Sequence, residues 1–152
     1  MAIFIKDNNS KHDDKLLSNI RPKIFLGGTC NNSTWREELM PMLDSIGINY
    51  FNPVVDIWDE HAQAEEILQR KTCDIVLYVI TKELSGVYSI AEVTDDSNKI
   101  PDKTILCILY DGFDISQQNS LRAVANLVKN NGSMVVDSLD DIIKILKNKF
   151  QI

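Results

Sequence analysis

The sequence predicts an α/β fold, and three observations carry the prediction. Short apolar runs alternate with segments whose apolar residues recur at helical spacing, the pattern of a parallel sheet covered by helices. The central run, Asp74 to Ile80, is apolar almost throughout, as expected of a strand buried on both faces. Turn-forming pairs follow the runs at Gly27-Gly28, Asn52-Pro53, Ser85-Gly86 and Asp111-Gly112. With right-handed crossovers these units build a flavodoxin-like three-layer sandwich. Its five-stranded parallel sheet takes the order 2-1-3-4-5, with helices on both faces.

The elements follow in chain order. Residues 1–22 read as an N-terminal arm or edge segment: Ala2 to Ile5 could add an edge strand, and Asp7 to Ser18 is polar and charged. The domain proper spans 23–152. Lys23 to Leu26 is the first core strand, closed by Gly27-Gly28-Thr29. Thr34-Trp-Arg-Glu37 fits a capping box ahead of Leu39, Met42, Leu43 and Ile46, with Pro41 expected to kink or shorten that helix and Gly47 to stop it. Ile48 to Phe51 is a second strand, Val54 to Trp58 a loop, and Asp59 caps a helix to about Lys71. The central strand is followed by Ser89-Ile-Ala-Glu92, which reads as a capping box opening a helix that ends near Lys99. Thr104 to Leu109 is the fourth strand, Ser120 to Lys129 a helix and Met134 to Val136 the fifth strand; Ser138 caps the last helix. The loops 27–33, 52–58, 85–92 and 111–119 should then share one rim, where open α/β sheets bind ligands.

Composition bounds the function. The chain has 152 residues, 44% of them apolar and 25% charged, as in a globular protein with one core. Its net charge of −6, from 22 acidic and 16 basic side chains, argues against a nucleic-acid polymer as partner, because phosphate-backbone affinity needs clustered Lys and Arg. No apolar run approaches the roughly 20 residues of a membrane span. Lys6, Asp7 and Asn8 interrupt the N-terminal apolar stretch, so no secretion signal is expected and the cytoplasm is the expected compartment. An odd number of cysteines without paired spacing argues against a disulfide framework, and Cys73 and Cys107 read as buried thiols.

Several constellations could carry chemistry. Glu92, just past the C-terminal end of the central strand, can serve as a nucleophile, since a helix start keeps a carboxylate ionised and in place. The competing reading is that Glu92 only completes its capping box. Gly27-Gly28-Thr29 lets a ligand approach the backbone, or is an ordinary tight turn; it lacks both the dinucleotide fingerprint and a Walker lysine. Cys30 to Arg36 spells C-x5-R, the spacing of low-molecular-weight tyrosine phosphatases, but Glu37 follows the arginine and no Asp-Pro pair supplies an acid. His61 with Asp59 and Glu65 reads as a solvated helix start before a metal site, and Asp95-Asp96 as an exposed helix face. Trp35 and Trp58 flank the rim, Trp58 within a loop.

Taken together, Ile24-Phe-Leu-Gly-Gly-Thr-Cys-Asn-x-Ser-x-Trp-Arg36, Phe51-Asn-Pro-Val-Val55, Leu77-Tyr-Val-Ile80 and Ser89-Ile-Ala-Glu-Val93 resemble the nucleoside 2-deoxyribosyltransferase-like family over about residues 23–147. The resemblance implies a flavodoxin-like fold, a homodimer or higher homo-oligomer, and cleavage of the N-glycosidic bond of a deoxynucleoside or deoxynucleotide. Glu92 would attack C1′ and form a covalent sugar ester, then passed to a second base or to water. Glu66, with Glu65 beside it, would contact the base or its leaving-group proton. Gly27, Gly28, Thr29, Asn52 and Trp58 would line the pocket, with Ser85 and Ser89 near the sugar, and Asn119 or Ser120 would serve a neighbouring subunit's site. No metal or redox cofactor is implied; the partner is a small nucleoside or nucleotide. Two departures stand out: Phe25 replaces a family Tyr, and Gly86 replaces a family Asp. The alternatives are a non-catalytic sensor holding a nucleotide-derived ligand in the same cleft, and a Cys30 phosphatase.

Overall fold

A computed structural model describes residues 21–152. The arm expected over 1–22 therefore lies almost wholly outside the described residues. Strands β1 (Lys23–Gly28), β2 (Asn49–Phe51), β3 (Ile75–Ile80), β4 (Thr104–Ile108) and β5 (Met134–Val136) form one parallel sheet in the order β2-β1-β3-β4-β5. Helices α1 (Trp35–Ser45), α2 (Glu60–Thr72), α3 (Tyr88–Lys99), α4 (Ile115–Asn130) and α5 (Leu139–Phe150) connect and follow them, with a 3₁₀ turn at Pro101–Lys103 before β4. No helix of the described residues is long and apolar enough to cross a membrane.

Alternation along the strands divides the core in two. Ile24, Leu26, Leu77 and Val79 face Trp35, Leu39 and Leu43 of α1 and Ile142 and Leu146 of α5. Phe25, Val76, Tyr78 and Ile80 face the other layer, where Val93 of α3 and Leu121 and Val128 of α4 complete the core. β3 is buried at every position, which its continuous apolar run requires. By contrast, α2 has no fully buried residue, so that layer stays open beside β1.

Four local expectations need correction. Thr34 stands at the N-cap of α1, but its side chain makes no capping bond; its hydroxyl donates to the Glu38 carboxylate, so no box forms with Glu37. The helix is not cut short at Pro41 but runs on to Ser45, and the Glu37 carbonyl that loses its donor belongs to an exposed residue. The helix expected from Ser120 begins at Ile115, where Asp114 and Gln117 form a complete capping box. The helix expected from a Ser89 cap starts earlier, with Val87 at the N-cap and no side-chain cap. Asp59 and Ser138 do cap α2 and α5, each accepting a backbone N–H.

Candidate functional site

Three of the four expected loops meet over the C-terminal ends of β1 and β3. The loop after β1 is bonded to the loop after β3: Asn31 Nδ2 donates to the Glu83 carbonyl at 2.8 Å and to Ser85 Oγ at 2.9 Å. Thr29 Oγ1 accepts the Thr81 N–H at 3.0 Å, and the Thr29 N–H donates to Val79 O at 2.9 Å. The third loop, 52–58, begins with Asn52 accepting the Val54 N–H at 3.1 Å. Asp111, from the fourth loop, faces a different hollow beside Thr34 and Lys82.

Between these loops and α2 and α3 lies a cavity of about 360 Å³. Its floor is sheet: Phe25, Gly27 and the Tyr78 ring. Pro53, Val54, Val55 and Trp58 form one wall, and Tyr88, Ser89 and Glu92 of α3 form another. Glu66 of α2 closes the remaining side. The mouth is apolar, with Trp58 56% and Tyr88 74% exposed. A flat aromatic ligand could lie between such walls while polar groups meet the two carboxylates.

The carboxylates do not behave alike. Glu92 sits in the second turn of α3, beyond capping reach, and its Oε2 lies 3.2 Å from the Arg70 guanidinium. The capping-box reading of Glu92 is thereby corrected: the helix begins too early for Ser89 to be its cap. Burial pushes the Glu92 carboxyl above the ordinary carboxylate range; Arg70 opposes this, and the negative charges of Glu66 and Asp96 add to it. Glu66 is likewise raised by burial, with Arg70 and Arg36 opposing.

Behind Glu92 is a network that the sequence reading missed. Arg70 grips Asp96 with a two-pronged bond, Nε to Oδ2 at 3.1 Å and Nη2 to Oδ1 at 2.8 Å, and the Tyr78 hydroxyl donates to Asp96 Oδ2 at 2.5 Å. Burial works against the Arg70 charge, yet the bond to Asp96 and the surrounding negative groups outweigh it and hold the guanidinium above its ordinary value. Burial, then the bond to Asp96, pushes the Tyr78 phenol upward. Asp96 is thus buried, correcting its assignment to an exposed face; only Asp95 of that pair is exposed, and it meets Lys99 at 2.9 Å. A signal existed: Glu92 and Asp96 are four apart on one helix, as are Glu66 and Arg70 on another, so each pair shares a face.

The other expected site residues divide by placement. Gly27, Gly28, Trp58, Ser89, Glu66 and Glu92 border the cavity. Thr29 is buried, its hydroxyl accepting the Thr81 N–H, and it borders a more open neighbouring hollow together with Ser85 and Gly86. Asn52 borders a small hollow beside Cys30 and Glu37. Asn119 is exposed on α4 and borders none of these hollows. Arg36 donates to the carbonyls of Leu26 and Thr29 from inside the protein, and Nη2 also reaches Cys30 Sγ at 3.8 Å. Its fork is therefore occupied by main chain and is not presented as a phosphate clamp. Trp35 is core, its indole N–H on the Thr29 carbonyl at 2.8 Å. No three His, Cys, Asp or Glu side chains among the described residues are grouped to hold a metal ion.

Comparisons with known proteins agree with this architecture. No curated protein matches the chain. A conserved protein from Enterococcus faecalis V583 superposes with a TM-score of 0.56 at 17% identity, over 86% of this chain and 99% of that one. The 2-deoxyribosyltransferase of Bacillus psychrosaccharolyticus superposes with a TM-score of 0.51 at 15% identity, over 80% and 90%. At such identities these likenesses speak for the fold. The family described as nucleoside 2-deoxyribosyltransferase like matches residues 21–110, from the residue before Pro22 to the end of the fourth β-unit. By that match, which spans more than half of the chain and all three loops of the cavity, the protein belongs to the nucleoside 2-deoxyribosyltransferase-like family.

Proposed function

We propose that the protein cleaves or transfers the N-glycosidic bond of a 2-deoxynucleoside or its monophosphate through a covalent ester on Glu92. The observation that carries the reading is Glu92 itself: a carboxylate bordering an apolar-walled cavity, held by a guanidinium and not by its own helix terminus. Such a group offers a fixed negative charge to an anomeric carbon developing positive charge.

In the first step a lone pair of a Glu92 oxygen forms the bond to C1′ while the C1′–N bond breaks, its electron pair leaving on the base. The departing base needs a proton. Glu66, whose carboxyl burial holds above the ordinary range, supplies it directly or through a water. In the second step a ring nitrogen of an acceptor base, or a water, attacks C1′, its proton passes to the Glu66 carboxylate left by the first step, and the C1′–O bond breaks to release the Glu92 carboxylate. Trp58 and Tyr88 bracket the base, and Gly27 leaves room at the sheet end of the cavity. The glycosyl group thus never leaves the pocket between the two displacements.

The test is incubation with 2-deoxynucleosides and their monophosphates, with and without a free acceptor base, followed by chromatography. Exchanged nucleoside or free base should form, and Glu92→Gln should lower the rate by at least ~10³-fold, as loss of a nucleophile does. Undiminished turnover in that variant would dispose of the mechanism. Tight calorimetric binding with no turnover by the native chain would transfer the cavity to the sensor reading.

A further inference from the structure

The described groups that face Glu92 come from several elements. Arg70 and Glu66 project from α2, Tyr78 from β3, and Asp96 and Tyr88 lie on its own helix; Cys30 and Arg36 border the same cavity from the β1–α1 side. Of the two arginines, Arg36 is tied to the Leu26 and Thr29 carbonyls. Arg70 is the one that pairs with Glu92, and it does so with Nη1, while Nε and Nη2 are turned to Asp96. One planar guanidinium therefore spans two carboxylates, and the Tyr78 hydroxyl braces the second of them from the sheet.

We propose that Arg70, anchored by Asp96 and Tyr78, is the positioning residue that sets the orientation and charge of Glu92. This role rests on reading Glu92 as the nucleophile. The bracing comes from β3, through Tyr78, Asp96 and Arg70. The arrangement also suits the reaction's charge balance. In the resting site the Arg70 guanidinium contacts Glu92 and Asp96 together. When Glu92 becomes a neutral ester, Arg70 keeps Asp96, so no half-buried cation is left without a partner. When the ester is cleaved, the returning carboxylate meets a guanidinium that has not moved. A lysine could not do the same, because its single ammonium cannot present two parallel donors to Asp96 and a third to Glu92.

The experiment follows the Glu92 carboxyl by carbon NMR in chain labelled at the glutamate side-chain carboxyl, with Glu92→Gln assigning the signal. In Arg70→Gln the Glu92 midpoint should rise by about one pH unit or more, and in Arg70→Lys by less, since the charge stays but the fork is lost. Where the enzyme turns over, the acidic limb of kcat/KM should move up with it, and kcat should fall more than KM changes. A folded Arg70→Gln with an unmoved Glu92 midpoint would overturn the proposal. If Arg70→Gln fails to fold, Arg70→Lys decides by the same titration. In the native chain the Arg70 Nε–H, bonded to Asp96, should be protected from solvent exchange; free exchange would also overturn it. Absence of turnover in the native chain would sink the glycosidic reading and leave these titrations standing, so the two failures are distinguishable.

Discussion

At the scale of single residues, the paired glycines after β1 have different reasons to be glycine. Gly27 is at the cavity floor, where a Cβ would meet the Leu77 carbonyl, Phe25 and Tyr78 at 3.1 Å. Gly28 has φ +112°, and a Cβ there would lie 2.1 Å from the Val79 carbonyl oxygen, backbone of the neighbouring strand that cannot step aside. The sheet therefore requires Gly28 whatever the ligand. Gly28→Ala should cost about 3 kcal/mol or more, combining strain with overpacking. Gly86, by contrast, would have nothing within 4 Å of an added Cβ and has no positive φ, so Gly86→Ala should change stability by less than about 0.5 kcal/mol. Urea melts of the two variants check the pair; equal losses would contradict this account. From sequence Gly27-Gly28 reads either as ligand-facing or as an ordinary tight turn, because a strand-ending Gly-Gly looks the same whether a ligand or a neighbouring strand crowds it.

At the scale of elements, helix existence was legible and helix starts were less so. The apolar period of α4 begins at Leu121, since Ile115 is 73% exposed, so periodicity alone places the start too late. The capping box fixes it: Asp114 Oδ1 accepts the Gln117 N–H at 2.8 Å, and the Gln117 side chain accepts the Asp114 N–H at 3.2 Å. Asp114→Ala should then cost about 1 kcal/mol, read as a lower thermal midpoint with glycosidic turnover unchanged. A neutral outcome would show that the first turns of α4 contribute nothing to stability. For α3 the failure runs the other way. Ser89-x-x-Glu92 matches a capping box, but the Val87 carbonyl already accepts the N–H groups of Ile90 and Ala91. That earlier start places Ser89 inside the helix and carries Glu92 into the second turn, where it faces α2.

At the scale of the whole molecule, the open side of the sheet explains why the site carries an energetic cost. α2 covers the β1 end without a fully buried residue, and the cavity beneath it holds two carboxyls that burial raises. A carboxyl whose folded pKa lies above its unfolded value contributes stability at low pH and loses it as pH climbs through the folded value. Glu66→Gln, which imitates the protonated form, should therefore raise Tm by ~2–3 °C at pH 7–8 and leave it unchanged near pH 4. Calorimetry at both pH values checks this; an equal shift at both would mean that the gain does not come from the charge. The stabilised variant should also lose turnover, since the leaving base loses its proton donor.

The sequence by itself determined the strand order, the two helical layers and the rim on which three of the four expected loops gather. The elements and their turns are written in local periods, two for strands and 3.6 for helices, and the handedness of the crossovers then orders the strands. The tertiary structure decided what Glu92 touches. Arg70, Asp96 and Tyr78 lie on a helix, a second helix and a strand, and an apolar period says which face of an element turns inward without saying which charge waits across the gap. It also decided that the fork of Arg36 is taken up by main-chain carbonyls, Leu26 from β1 and Thr29 from the loop after it, whose N–H is bonded to Val79 of β3.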